Sequence, residues 1–99
     1  MTATRSSAGW EVEIGGLRIA LADHAIVMGR DPQCDVPLDD DRVSWRHLRI
    51  EISKHGPLVT DLGSSNGTLV DGSRIDGEPK VITREAIIRL GSTRARVRA

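Results

Sequence analysis

Ninety-nine residues set the scale of one domain, large enough to bury an apolar core without disulfide or metal staples. Fourteen basic and fourteen acidic residues cancel to a formal net charge of zero, which excludes the global positive field that non-specific nucleic-acid binding relies on. The only aromatics are two Trp, so the core must be aliphatic; a single Cys forms no internal disulfide and points to a reducing, cytoplasmic compartment; and no apolar run approaches the ~18 residues a membrane span needs.

Residues 1–8 are small, polar and aperiodic, and read as a disordered leader to a single β domain over residues 9–99. From Trp10 the pattern changes. Trp10, Val12 and Ile14 alternate with Glu11 and Glu13, Gly15-Gly16 intervenes, and Leu17, Ile19 and Leu21 alternate with Arg18 and Ala20: a hairpin. A third apolar run from Ala25 to Met28 ends at Gly29-Arg30-Asp31-Pro32, where Pro stops further ladder pairing. A short strand from Asp35 to Leu38 leads to Asp39-Asp40-Asp41-Arg42, read as a solvated loop.

From Trp45 to Ile52 the even positions Leu48, Ile50 and Ile52 are apolar while His47, Arg49 and Glu51 are polar, which makes one face core and the other wet and puts His47 on the wet face. Arg46, by the same parity, shares the core face. A further strand, Leu58 to Leu62, reaches Asp61-Leu62-Gly63-Ser64-Ser65-Asn66-Gly67-Thr68, and a Thr-Leu-Val run follows. Asn-Gly between two β-prone runs predicts a tight hairpin. Strands at Arg74-Ile75, Val81-Ile82, Ala86 to Leu90 and Thr93 to Arg98 bring the count to ten or eleven, with no helix, the signature of an all-β sandwich or barrel.

The last strand alternates Arg94, Arg96 and Arg98 with small or apolar residues, so a row of guanidinium groups lines one face. Such a row guards a sheet edge against aggregation, or forms a basic strip that meets an acidic partner or RNA.

Three clusters carry the functional signal: Gly29-Arg30, then Ser44-Trp45-Arg46-His47, then Ser64-Ser65-Asn66-Gly67-Thr68. In this order and spacing, with the Asp61 to Thr68 stretch almost unbroken, they closely resemble the forkhead-associated (FHA) domains from about Met28 to Val70, and more weakly to Gly91. The resemblance implies a β-sandwich of eleven short, mostly antiparallel strands whose loops at one end bind a phosphothreonine peptide. It implies Arg30, Ser44, Ser65 and Asn66 as the binding residues, Trp45, Arg46 and Arg42 as secondary candidates, and Gly29, His47, Gly67 and Thr68 as support, His47 bracing the loops. The implied partner is a protein phosphorylated by a Ser/Thr kinase, with no enzyme activity, cofactor, metal, specific nucleic acid or membrane.

Chain parity places the Ser44 and Ser65-Asn66 loops at one end, two strands apart, but does not bring Arg30 there; only the resemblance does. The chain departs from the family pattern at Trp45, where Arg or another polar residue that reaches phosphate is common, at Leu58-Val59-Thr60, which replaces an aromatic, and at Arg84-Glu85, which replaces Gly-Asp. The competing reading from Trp45 is a degenerate domain used for phosphate-independent assembly or oligomerisation. Ser44, His47 and Asp61 supply hydrolase residue types, but no nucleophile-elbow motif surrounds the Ser.

Overall fold

A computed structural model describes residues 9–75 and 77–99, so the expected leader lies outside the described residues. Alternation in the sequence becomes eleven strands without a helix among the described residues: β1 (Glu11–Ile14), β2 (Leu17–Ala20), β3 (Ile26–Gly29), β4 (Val36–Pro37), β5 (Leu48–Ser53), β6 (Gly56–Asp61), β7 (Thr68–Val70), β8 (Ser73–Ile75), β9 (Lys80–Val81), β10 (Ala86–Leu90) and β11 (Thr93–Arg98). They form a six-stranded sheet in the order β2-β1-β11-β10-β7-β8 and a five-stranded sheet in the order β4-β3-β5-β6-β9. Only the β3–β4 pairing is parallel. Alternate residues of both sheets meet in an aliphatic core in which Met28, Leu48, Ile50, Ile88, Leu90 and Val97 are fully buried; each contributes roughly 1.5–3 kcal/mol.

Register explains why so many loops share one end. Met28 opposes Leu48 and Leu48 opposes Asp61, so the end of β3, the start of β5 and the end of β6 lie side by side. Because β4 runs parallel to β3, the chain leaves β4 at the end where it left β3, and Arg30 joins Ser44 there. Parity counting failed on that crossover: it assumes that every successive strand reverses. In the other sheet, Thr68 at the start of β7 pairs with Leu90 at the end of β10, which brings the β10–β11 turn to the same end.

Two expectations are corrected. Asn66-Gly67 is not a hairpin: β6 belongs to the five-stranded sheet and β7 to the six-stranded one, so this segment crosses between layers. A tight hairpin of this kind needs positive φ at both central residues, and here only Gly67 has it (φ 84°), whereas Asp71 and Gly72, joining β7 to β8, both do (49° and 85°). The row of arginines on β11 guards no edge either, because β11 lies between β1 and β10.

Candidate functional site

Gly29 is required by a neighbour rather than by its own φ. A Cβ built on it would overlap the Trp45 carbonyl oxygen and stand 2.9 Å from the Arg46 Cα, so any side chain would push the segment before β5 off the end of β3. With Gly there, the two backbones bond: Arg30 N–H donates to the Ser44 carbonyl at 3.1 Å and Asp31 N–H to the Trp45 carbonyl at 3.0 Å. This seats Arg30 with its Nε–H on the Val43 carbonyl at 2.7 Å. One guanidinium donor is therefore anchored, and the terminal N–H groups of the fork have no protein partner among the described residues. Trp45 is 55% exposed, and its ring centroid lies 5.9 Å from Arg30 Cζ. The residue that departs from the family pattern thus flanks the cation, within cation–π range.

His47 is fully buried, not on a wet face. Strand parity misplaced it because β5 begins only at Leu48, and residues 44–47 are bent chain to which period-2 alternation does not apply. The same bend leaves Arg46 exposed, against its expected place on the core face. The Ser44 backbone N–H donates to His47 Nδ1 at 3.0 Å. An N–H only donates, so Nδ1 is the unprotonated nitrogen and Nε2–H donates to the Gly67 carbonyl at 2.8 Å. The His47 backbone adds N–H to the Met28 carbonyl at 2.8 Å and accepts from Leu62 N–H at 2.9 Å. One neutral imidazole and its own peptide groups thereby tie together the strand before Arg30, the Ser44 loop and both sides of the 62–67 loop.

That last loop is built on Asp61. Its Oδ1 accepts the hydroxyls of Ser64 (2.6 Å) and Thr68 (2.7 Å), and its Oδ2 the backbone N–H groups of Ser64 (3.0 Å) and Gly63 (3.1 Å). Burial raises the Asp61 pKa, but these four donors, the Ser64 hydroxyl foremost, outweigh it and hold the carboxyl below its ordinary value. Ser64 Oγ in turn accepts Gly67 N–H at 2.9 Å. Ser64 and Thr68 are therefore occupied as scaffold, and Thr68 and His47 are the two fully buried polar side chains among the described residues.

What remains outward is Ser65 and Asn66. Ser65 N–H donates to Ser44 Oγ at 2.9 Å, so the Ser44 hydroxyl proton is directed elsewhere, and the Ser65 hydroxyl has no partner among the described residues. Asn66 Nδ2 donates to the Arg42 carbonyl at 2.8 Å, leaving its Oδ1 and one N–H open. Asp40, expected in a solvated loop, is a clamp: its carboxylate accepts Arg42 N–H (2.9 Å), Ser92 N–H (2.9 Å) and the Thr93 hydroxyl (2.7 Å), which joins the Ser44 loop to the β10–β11 turn. The Thr93 hydroxyl, then the Arg42 amide, hold its pKa below the usual value.

The structure thus brings Arg30, Ser44, Ser65 and Asn66 to one end, with Trp45 and Arg42 at the rim and Gly29, His47, Gly67 and Thr68 beneath. Arg46 is exposed and makes no hydrogen bond or ion pair among the described residues. Asp61 and Asp40 were given no role in the site; for Asp61 the signals were its place at the head of the Asp61 to Thr68 stretch and its spacing to two hydroxyl residues, Ser64 and Thr68. The hydrolase arrangement is absent: His47 bonds the amide of Ser44 rather than its hydroxyl, and Asp61 bonds Ser64 and Thr68 rather than His47.

The family model for the FHA domain matches residues 26–91. FhaB of Mycolicibacterium smegmatis, an FHA domain-containing protein, is 35% identical over 83 residues, 84% of this chain and 53% of that protein. The chain spans about half the length of the curated relatives it matches. A structure solved in a study of phosphothreonine-dependent FHA domain interactions superposes with a TM-score of 0.81 at 28% identity, covering 91% of this chain and 95% of that one. The FhaA FHA domain, solved in complex with the intracellular domain of another protein, gives 0.80 at 28% identity over 90% of this chain and 99% of that one. The span of the family match, the relative's identity and the shared sandwich agree: the chain belongs to the FHA domain family.

Proposed function

We propose that this end of the sandwich reads a phosphothreonine in an extended segment of a partner protein, placed there by a Ser/Thr kinase in the same cytoplasmic compartment. The observation that carries the reading is the set of donors left over once the scaffold is satisfied: the Arg30 fork, held by its Nε on the Val43 carbonyl, and the hydroxyls of Ser44 and Ser65, coupled through the 2.9 Å bond from Ser65 N–H to Ser44 Oγ. A phosphate brings about −1.5 to −2 charges at pH 7 with several acceptor oxygens, so it calls for a fixed cation and short donors. Each hydrogen bond to such a group contributes roughly 1.5–3 kcal/mol. Three or four of them, less the entropy of association, amount to about −8 kcal/mol, a micromolar contact suited to reversible signalling.

Asn66, steadied by the Arg42 carbonyl, offers its Oδ1 and remaining N–H to the peptide main chain. Trp45 replaces a phosphate donor with a ring that restricts the Arg30 side chain, so its contribution is the orientation of the cation. No residue of the site is assigned a catalytic role. Its exposure at the rim also favours a second reading, phosphate-independent assembly. Capture of a phosphothreonine partner by wild type, Arg30→Ala and Ser44→Ala separates the two: phosphate reading requires both variants to lose the partner, and retention by both would establish the assembly reading.

A further inference from the structure

The three arginines of β11 are not equivalent. On the outer face of the six-stranded sheet Arg96 meets Glu85 at 3.3 Å, and Arg98 meets Glu11 at 3.4 Å and Glu13 at 4.0 Å. Arg94 has no carboxylate partner among the described residues. Instead it stands directly opposite Arg89 in the β10–β11 ladder, and Arg89 has none either. Like charges at directly opposed positions destabilise a sheet, and this pair is exposed on both sides. The same cross-strand row continues from Arg89 to Leu69 and from Leu69 to Arg74, whose guanidinium lies against Gly67.

Arg89 and Leu69 also line, with Arg42, Asn66, Gly67 and Gly91, a cleft of about 290 Å³. The row therefore opens into the rim of the proposed phosphothreonine site. On its other flank, Arg94 and Arg96 border a second depression lined by one acid, Glu13, the carboxylate that Arg98 meets at 4.0 Å.

We propose that Arg94, Arg89 and Arg42 form an anion strip that docks an acidic segment of the same partner chain, next to its phosphothreonine; the proposal rests on the phosphothreonine reading of the site. From β11 to β7, which lines the cleft with Arg42 and Asn66, the row crosses two strand spacings, about 10 Å. An extended peptide covers that distance in about three residues, so the complementary segment is a short run of Glu, Asp or a second phosphorylated residue. An RNA fits less well: the outer face has no aromatic platform for bases, the chain's net charge is zero, and the strip leads into a cleft with Asn66 rather than along a groove.

The test compares a phosphothreonine peptide carrying a four-glutamate extension with the same peptide carrying a Gly-Ser extension, against wild type and the Arg89→Gln/Arg94→Gln variant. Extensions are placed in turn on each side of the phosphothreonine. The glutamate extension on one side is expected to tighten wild-type binding about tenfold at low salt, and the gain is expected to vanish in the variant while the Gly-Ser peptide binds both proteins equally. A gain that survives in the variant, or no gain on either side, would overturn the strip and leave the phosphothreonine site standing. Failure of both peptides to bind wild type would overturn both. An RNA oligonucleotide that binds wild type better than the variant and competes with the glutamate extension would replace the acidic-peptide assignment.

Discussion

The two ends of the sandwich are held in different ways. At the end away from the candidate site, the β5–β6 turn is closed by Ser53, whose hydroxyl donates to the Gly56 carbonyl and accepts His55 N–H, bonds spanning three residues at most. The β7–β8 turn there follows from the positive φ of Asp71 and Gly72, with a reciprocal pair of longer bonds, Ile87 N–H to the Asp71 carboxylate and Asp71 N–H to the Ile87 carbonyl. At the site end the bonds reach much further along the chain: 20 residues from His47 to Gly67, 21 from Ser65 to Ser44, 24 from Asn66 to Arg42, and 53 from Thr93 to Asp40. The far end is held by turn geometry and backbone pairing, including Ile82 N–H to the Pro57 carbonyl at 2.7 Å, with few side chains reaching across it. The site end is a cross-linked polar network that exists only when the sandwich is formed, and it holds Arg30, Ser44 and Ser65 in place with the terminal guanidinium N–H groups and the two hydroxyl protons still unspent among the described residues.

The comparison breaks most severely at Gly29. Gly29→Ala drives a methyl group into the Trp45 carbonyl and is expected to cost about 3 kcal/mol, with a drop in Tm and loss of phosphopeptide capture. Gly72→Ala, at a positive φ on the far end, is expected to cost about 1 kcal/mol and leave capture unchanged. His47→Ala comes next: it leaves the Ser44 N–H and the Gly67 carbonyl without partners, each at about 1–3 kcal/mol, so denaturant melts are expected to show a loss of a few kcal/mol together with weakened binding.

Asp61→Asn is smaller, because the amide still fills the space but offers one acceptor oxygen to donors that now occupy two; about 2 kcal/mol is expected. It also tests the charge. The Asp61 and Asp40 carboxyls both sit below their ordinary value of 3.8. Their contribution to stability is therefore complete above that pH and lost as pH falls below it through the folded-state values. Wild-type Tm is expected to fall across that window, and Asp61→Asn to flatten the fall. Asp40→Asn is the mildest change: faster amide exchange at Ser92 with little shift in Tm.

The same contrast explains what could be read in advance. Period-2 alternation located the strands, and the family resemblance pointed to Arg30, Ser44 and Ser65-Asn66, which the structure leaves at least partly exposed. Residues whose role depends on distant partners were illegible. Asp40 reads as one of three aspartates in a wet loop because nothing nearby predicts Thr93 as its donor. Asp61 reads as a strand end. His47 was placed outside by alternation that begins only one residue later, its bracing role coming from the resemblance alone, and Asn66-Gly67 carries a hairpin signal that the bonds to Asp61 override by holding a wider loop between sheets.

The central claim is that the network leaves Arg30, Ser44 and Ser65 free to hold phosphate. Calorimetric titration with a phosphothreonine peptide library, its unphosphorylated counterpart and the Arg30→Ala protein tests it most directly. Micromolar binding of phosphorylated peptides alone, abolished in Arg30→Ala, is the expected result; equal binding of phosphorylated and unphosphorylated peptides, or none of either, would contradict it.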